Sequence, residues 1–217
     1  MEKWIDISQT FYEGMTYASF FPNPEIRRVM ELGPGTPNLT KFNIVVHQGT
    51  HVDAPIHIFP LGISIDKMDL DLFHGEGVVW NVSKLPGERI DPKDLLDQVP
   101  RLKRGDFLLL NTGWGRKYGS PDYNDHPYFS TDLAGWLCDI GIAFIGMDMI
   151  TPEIPYKYRN SEFSFEIHKK FFENNVVIAE NLAPMDEIIG RRVEVMALPL
   201  KIVGADGSPS RIVVKTL

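Results

Sequence analysis

The 217-residue chain holds a single cysteine, Cys138, so no internal disulfide can form. A chain of this length buries roughly 70% of its unfolded surface and needs no such staple. A lone thiol within LAGWLCDIGIAF reads as a small buried side chain, and a reducing, cytoplasmic setting is expected. Long apolar runs are missing too: none approaches the roughly 18 residues that a membrane span requires. The opening MEKWIDISQT, acidic at Glu2 and Asp6, lacks the apolar segment of a signal peptide. Positive charge is scarce. The 22 Lys and Arg against 29 Asp and Glu give a net charge of −7, without the basic face that phosphate binding demands. Neither a membrane nor a nucleic-acid partner is expected. Repeats and low-complexity stretches are absent, and glycine and proline are spread as turns, so residues 1–217 are expected to form one domain.

What the chain does have is short, β-branched apolar runs bounded by Gly, Pro, Asn or Asp: residues 4–8, 39–46, 77–82, 106–112, 142–148, 175–180 and 211–216. Each is of strand length. Helical signals lie between some of them. Asp91-Pro92 places a cap and then a proline before KDLLDQV; Thr131 would cap DLAGWLCDI, which ends at Gly141. Asn160 or Ser161 would cap EFSFEIHKKFFENN, where Phe163, Ile167 and Phe171 share a face. ADGSPS (205–210) reads as a hairpin loop between LPLKIV and RIVV. Strands outnumber helices, and the expectation is an α/β or α+β domain with a mixed β-sheet flanked by helices.

Chemistry concentrates in HQGTHVDAPIH (47–57), which carries three of the six histidines and an aspartate. If the strand KFNIVV runs on extended, His47, Gly49, His51 and Asp53 share a face. Gly49 then leaves a gap between two imidazoles where an ion can sit. Pro55 cannot continue a ladder and turns His57 back toward the cluster. Desolvating so many titratable groups costs free energy unless an ion or a partner compensates. Imidazole and carboxylate without thiolate suit zinc, manganese or iron.

The run H-x-G-T-H-x-D-x-P-x-H resembles the signature of the metal-dependent cyclase family, which includes bacterial kynurenine formamidases and isatin hydrolases; its seven fixed positions, His47 to His57, all agree. His168 and Glu180 stand in the relation of the histidine and glutamate that complete the metal site in the family's formamidases. The opening WIDISQTFYEGM and the closing LPLKIVGADGSPSRIV are similar as well. The resemblance implies a swivelling β/β/α-like cyclase fold and a zinc or manganese site of one or two ions. His47, His51 and Asp53 would hold one ion, and Asp53 would bridge to a second on His168 and Glu180. His57 would be the proton-transfer residue, with further ligation or orientation of a ligand as its other role. The implied reaction is hydrolysis of an aryl amide C–N bond by metal-activated water, as in an arylformamidase. A cyclic amide, imide or lactone hydrolase and a catalytically silent metal-binding homologue are the alternatives. A homodimer or homotetramer is implied. The family's tryptophan near the N-terminus is missing: Phe21, with Phe20 or Tyr17 as rivals, would contact an aromatic amide or lactam substrate.

Other polar residues rank lower. His74 sits at a turn and is expected on the surface. His126 lies in the aromatic-rich loop 115–129, which could cover a site or serve a subunit contact. Asp148, at a strand end, fits either a functional position or the cap of the following TPE turn.

Overall fold

Near-continuous apolar runs are what strands covered on both faces require, and the runs near residues 78, 108, 145 and 178 form the centre of the sheet. A computed structural model describes residues 3–16, 18 and 20–217. In chain order the strands are β1 (Ile5–Asp6), β2 (Glu25–Met30), β3 (Leu39–Asn43), β4 (His51–Asp53), β5 (His74–Asn81), β6 (Arg89–Ile90), β7 (Phe107–Asn111), β8 (Tyr128–Phe129), β9 (Phe144–Met147), β10 (Val177–Glu180), β11 (Arg192–Met196), β12 (Gly207–Pro209) and β13 (Val213–Thr216). The α-helices are α1 (Thr131–Ile140) and α2 (Glu166–Glu173). Nine strands make one mixed sheet in the order β1-β13-β11-β5-β7-β9-β10-β4-β12. Strands β5, β7, β9 and β10 are parallel; the flanking pairs are antiparallel.

The period-two alternation of β7 divides the core. Leu108 and Leu110 join Leu133, Leu137 and Phe171 under the two helices. Phe107 and Leu109 face the other way, into a cluster with Val52, Val193 and Val214. The sheet curls around this second cluster. Ile7 holds the curl: its N–H donates to Ile212 O at 3.0 Å, and its carbonyl accepts from Ala183 N at 2.8 Å. Among the described residues no helix is long and apolar enough to cross a membrane.

Several local expectations are corrected. Ser130, not Thr131, caps α1, accepting Leu133 N–H at 3.0 Å. Asp91-Pro92 opens a single 3₁₀ turn closed by a capping box rather than a longer helix. Asn160 caps only the turn ahead of α2, accepting Glu162 N–H at 3.0 Å. The helix itself begins at Glu166, and Phe163 lies outside it. Residues 205–210 are not a hairpin loop: β12 runs antiparallel to β4 at the sheet edge. The strand expected over 39–46 stops at Asn43 and pairs with β2 in a separate two-stranded ribbon. Cys138 is only half-buried.

Candidate metal centre and adjoining cavity

The motif begins in a turn, not a strand. Gln48 N–H donates to Val45 O at 2.9 Å, and Val45 N–H to Gln48 Oε1 at 2.8 Å. Gly49 then takes φ +68°. The glycine is there for that left-handed conformation and for Phe11, whose ring would lie 2.6 Å from an added Cβ; it leaves no gap for an ion. Only His51 and Asp53 reach the centre from one extended strand, and His47 enters from the turn. As expected, the chain turns after Pro55, and the His57 ring returns to 4.0 Å from that of His47.

Strand register supplies the second half. Glu180 is the ladder partner of His51, and Gly207 that of Asp53. On α2, His168 is aimed by Glu153, whose Oε1 accepts Ile167 N–H and His168 N–H at 3.0 Å each, and His168 Nδ1–H at 2.9 Å. The carboxylate thus caps the positive end of α2 while holding the ring.

The structure brings together His47, His51, Asp53, His168 and Glu180, all buried. Asp53 Oδ1 lies 2.8 Å from His47 Nδ1 and 3.2 Å from His51 Nε2. His168 Nε2 lies 3.5 Å from Asp53 Oδ2 and 3.3 Å from Glu180 Oε1. Two triads of donor atoms, His47–His51–Asp53 and Asp53–His168–Glu180, each fall within 4.8 Å, with Asp53 common to both. Burial pushes the His51 pKa down, but the charges of Asp53 and Glu180 overcome it and lift the group to about 10. Burial likewise works against an ionised Asp53, yet the flanking imidazoles hold it well below the usual carboxylate range.

The outer nitrogens of these rings are already engaged. His51 Nδ1–H donates to Gly49 O at 2.8 Å, His168 Nδ1–H to Glu153, and His47 Nε2–H to Asp206 Oδ2 at 2.9 Å. Such outward bonds point the inner nitrogens at the carboxylates, where a bound ion would take the place of their protons.

The family model described as "Putative cyclase" matches residues 5–154. The chain belongs to the cyclase family. A kynurenine formamidase from Bacillus mycoides (strain KBAB4) is 30% identical over 220 residues, covering 99% of this chain and 98% of that protein. A structure described as "predicted metal-dependent hydrolase from Bacillus stearothermophilus" is 26% identical, with a TM-score of 0.78 over 99% of this chain and 98% of that one. Isatin hydrolase A from Ralstonia solanacearum, 21% identical, shares the fold at a TM-score of 0.85, covering 98% of this chain and 91% of its own.

Does a divalent metal fit the donors this chain presents? Among the described residues, His51 Nε2, Asp53 Oδ2 and Glu180 Oε1 are buried with no hydrogen-bond partner. Orphaned polar atoms cost about 1–3 kcal/mol each. Three of them converging, with nitrogen and carboxylate donors and no thiolate, match what a divalent ion accepts.

Beside this centre opens a cavity of about 310 Å³, walled by Phe20, Phe21, Tyr156 and Phe165, with His57 and Arg159 among its polar groups. Phe20 and Phe21, expected as substrate contacts, line this cavity; Tyr17 lies outside the described residues. Sequence reasoning missed Glu153, Asp206 and Arg159 and ranked His126 low. Glu153 hid in a TPE turn and Asp206 in an apparent loop. Arg159 sits in an unremarkable polar stretch, yet its guanidinium rests 4.1 Å from the Phe163 ring centre. His126, expected in a polar loop, is buried in the cavity wall. The loop 115–129 hence contributes to the cavity. Asp148 is structural: it accepts Thr112 N–H at 2.8 Å and Gly115 N–H at 3.1 Å, fastening the turn after β7 rather than TPE. His74 is exposed and pairs with Glu194.

Proposed function

We propose that this protein is a metal-dependent hydrolase of the arylformamidase type, cleaving the C–N bond of an aryl amide. The observation that carries the reading is the pair of donor triads sharing Asp53, with three orphaned buried atoms, opening onto an aromatic cavity that also holds His57. His47, His51 and Asp53 would bind one zinc or manganese ion, and Asp53, His168 and Glu180 a second. When bound, such an ion polarises a carbonyl and makes water more acidic.

The chain's own residues do the rest. The aromatic walls seat the aryl ring and exclude water. His57 Nδ1 is held by Asp206 Oδ2 at 3.3 Å, so Nε2 is the free nitrogen. It takes a proton from the attacking water as the oxygen bonds to the amide carbon, then returns it to the leaving nitrogen as the C–N bond breaks. The products are a carboxylic acid and an aryl amine.

Arg159 favours the open-chain amide over a neutral cyclic one such as isatin. Burial lowers its pKa, it stacks on Phe163, and it makes no ion pair among the described residues. A half-buried guanidinium with no ion-pair partner among the described residues invites a carboxylate from the substrate. A cytoplasmic homo-oligomer is part of the reading, supported by the β2–β3 ribbon, where Phe42 and Val29 are exposed; two strands alone are marginally stable in water.

Elemental analysis of the purified protein, then assays on N-formylkynurenine and isatin, test the proposal. Bound zinc or manganese and a higher kcat/KM for the formamide are expected. A folded protein that neither carries nor takes up a transition metal would overturn it.

A further inference from the structure

Asp206 stands at the edge of the site, on the segment that pairs with β4. Its carbonyl accepts Ala54 N–H at 2.9 Å, and the next residue, Gly207, faces Asp53. That approach requires glycine: a Cβ at 207 would lie 2.9 Å from both His47 Cε1 and Val52 O. The backbone is thus pinned where the Asp206 carboxylate meets two imidazoles. Its Oδ2 lies 2.9 Å from His47 Nε2 and 3.3 Å from His57 Nδ1, and the two rings sit 4.0 Å apart, tilted by 40°.

These three side chains could also be read as a further cation site, since their donor atoms lie within 4.8 Å of one another. The ring chemistry disfavours that. A neutral imidazole has one lone pair, and His47 already turns Nδ1 toward Asp53; a cation on Nε2 as well would require an imidazolate. With a proton on Nε2, His47 donates to Asp206, and His57 does the same through Nδ1–H.

We propose that Asp206 is a positioning residue that couples the metal centre to the proton carrier: one carboxylate oxygen accepts N–H from both His47 and His57. It fixes the tautomer of each ring at once, directing the His47 Nδ1 lone pair inward and leaving His57 Nε2 as the proton-accepting atom in the cavity. This rests on the role proposed for His57, but its structural half can be read without turnover.

The test uses zinc-loaded protein and the variants Asp206→Asn, Asp206→Ala, His57→Ala and the double variant. ¹⁵N NMR of the imidazoles, with His57 assigned by its loss in His57→Ala, should show a protonated Nδ1 in the parent and mixed tautomers in Asp206→Ala. At saturating zinc, kcat should fall roughly 10–100-fold in Asp206→Ala, with KM within about threefold. Asp206→Asn, which keeps an acceptor oxygen, should fall less. At saturating zinc, which offsets the part that runs through His47, adding Asp206→Ala to His57→Ala should cost almost nothing more in kcat, because the remaining effect runs through His57. An unchanged His57 tautomer, full recovery of kcat on adding zinc, or multiplicative losses in the double variant would each overturn the proposal. Absence of amide hydrolysis in the parent would sink the proposed function alone and leave the tautomer result to decide this one.

Discussion

Glu180 and His51 are partners across the β10–β4 ladder, with His51 Nε2 3.4 Å from Glu180 Oε2. One rung of an antiparallel pair therefore joins the local motif to residues more than a hundred positions away. The parallel strands β9 and β10 bring α2 to the same end, which is how His168 arrives.

Glu153 is expected to matter more than its place in a turn suggests. Replacing it by alanine removes three acceptor contacts at once and frees the His168 ring. Asp53–His168–Glu180 should then bind zinc roughly 10–100-fold more weakly, measured by competition with a chelator. Glu153→Gln, which retains an acceptor oxygen for the two backbone N–H groups, should keep most of the stability and lose part of the affinity. Equal zinc affinity in all three proteins would dismiss the orienting role.

Gly49→Ala combines a left-handed backbone with a Cβ pressed into the Phe11 ring. A loss of about 1–3 kcal/mol is expected, read as a Tm lower by roughly 3–10 °C for a chain of this size. Combining it with Phe11→Ala relieves the clash but not the dihedral. Whatever cost persists beyond that of Phe11→Ala alone measures backbone strain.

Arg159→Met preserves the stacking on Phe163 and deletes the charge. If the guanidinium holds a substrate carboxylate, KM for N-formylkynurenine should rise about tenfold or more, while isatin hydrolysis stays within about twofold. An equal loss on both substrates would instead make Arg159 part of the wall.

His126 gives a pH dependence whose sign can be fixed. Burial pushes its pKa down from 6.5 to about 4, so the folded protein keeps the ring neutral while the unfolded chain takes up a proton. This destabilisation is absent above pH 6.5, grows as pH falls, and is complete near pH 4, reaching about 3 kcal/mol. Denaturation of the parent and of His126→Gln at pH 7 and pH 4.5 isolates the contribution: the parent should lose more stability than the variant. Parallel losses in both would refute it.

Much of the centre was legible because HQGTHVDAPIH is local, and its residue types survive any error in local conformation. The turn at Val45–Gln48 changed how His47 arrives, not whether it does. Glu180 and His168 were legible only through the family resemblance; an acid closing an apolar strand would alone have been unremarkable. Asp206 and Glu153 were not, since each works through a partner more than ten residues away and sits among Gly, Ser, Thr and Pro, where local chemistry favours turns. Gly207-Ser208-Pro209 has little intrinsic strand preference; it is a strand because β4 offers an open edge. Likewise α2 starts where Glu153 caps it, not where Asn160 would.

The edge pairing of β12 with β4 also sets an order of events during synthesis. His47, His51 and Asp53 emerge from the ribosome early, but the outer nitrogen of His47 finds its acceptor only after residue 206 has been made. All five donors of the two triads are therefore made before the carboxylate that holds the His47 ring, and its orientation is fixed last.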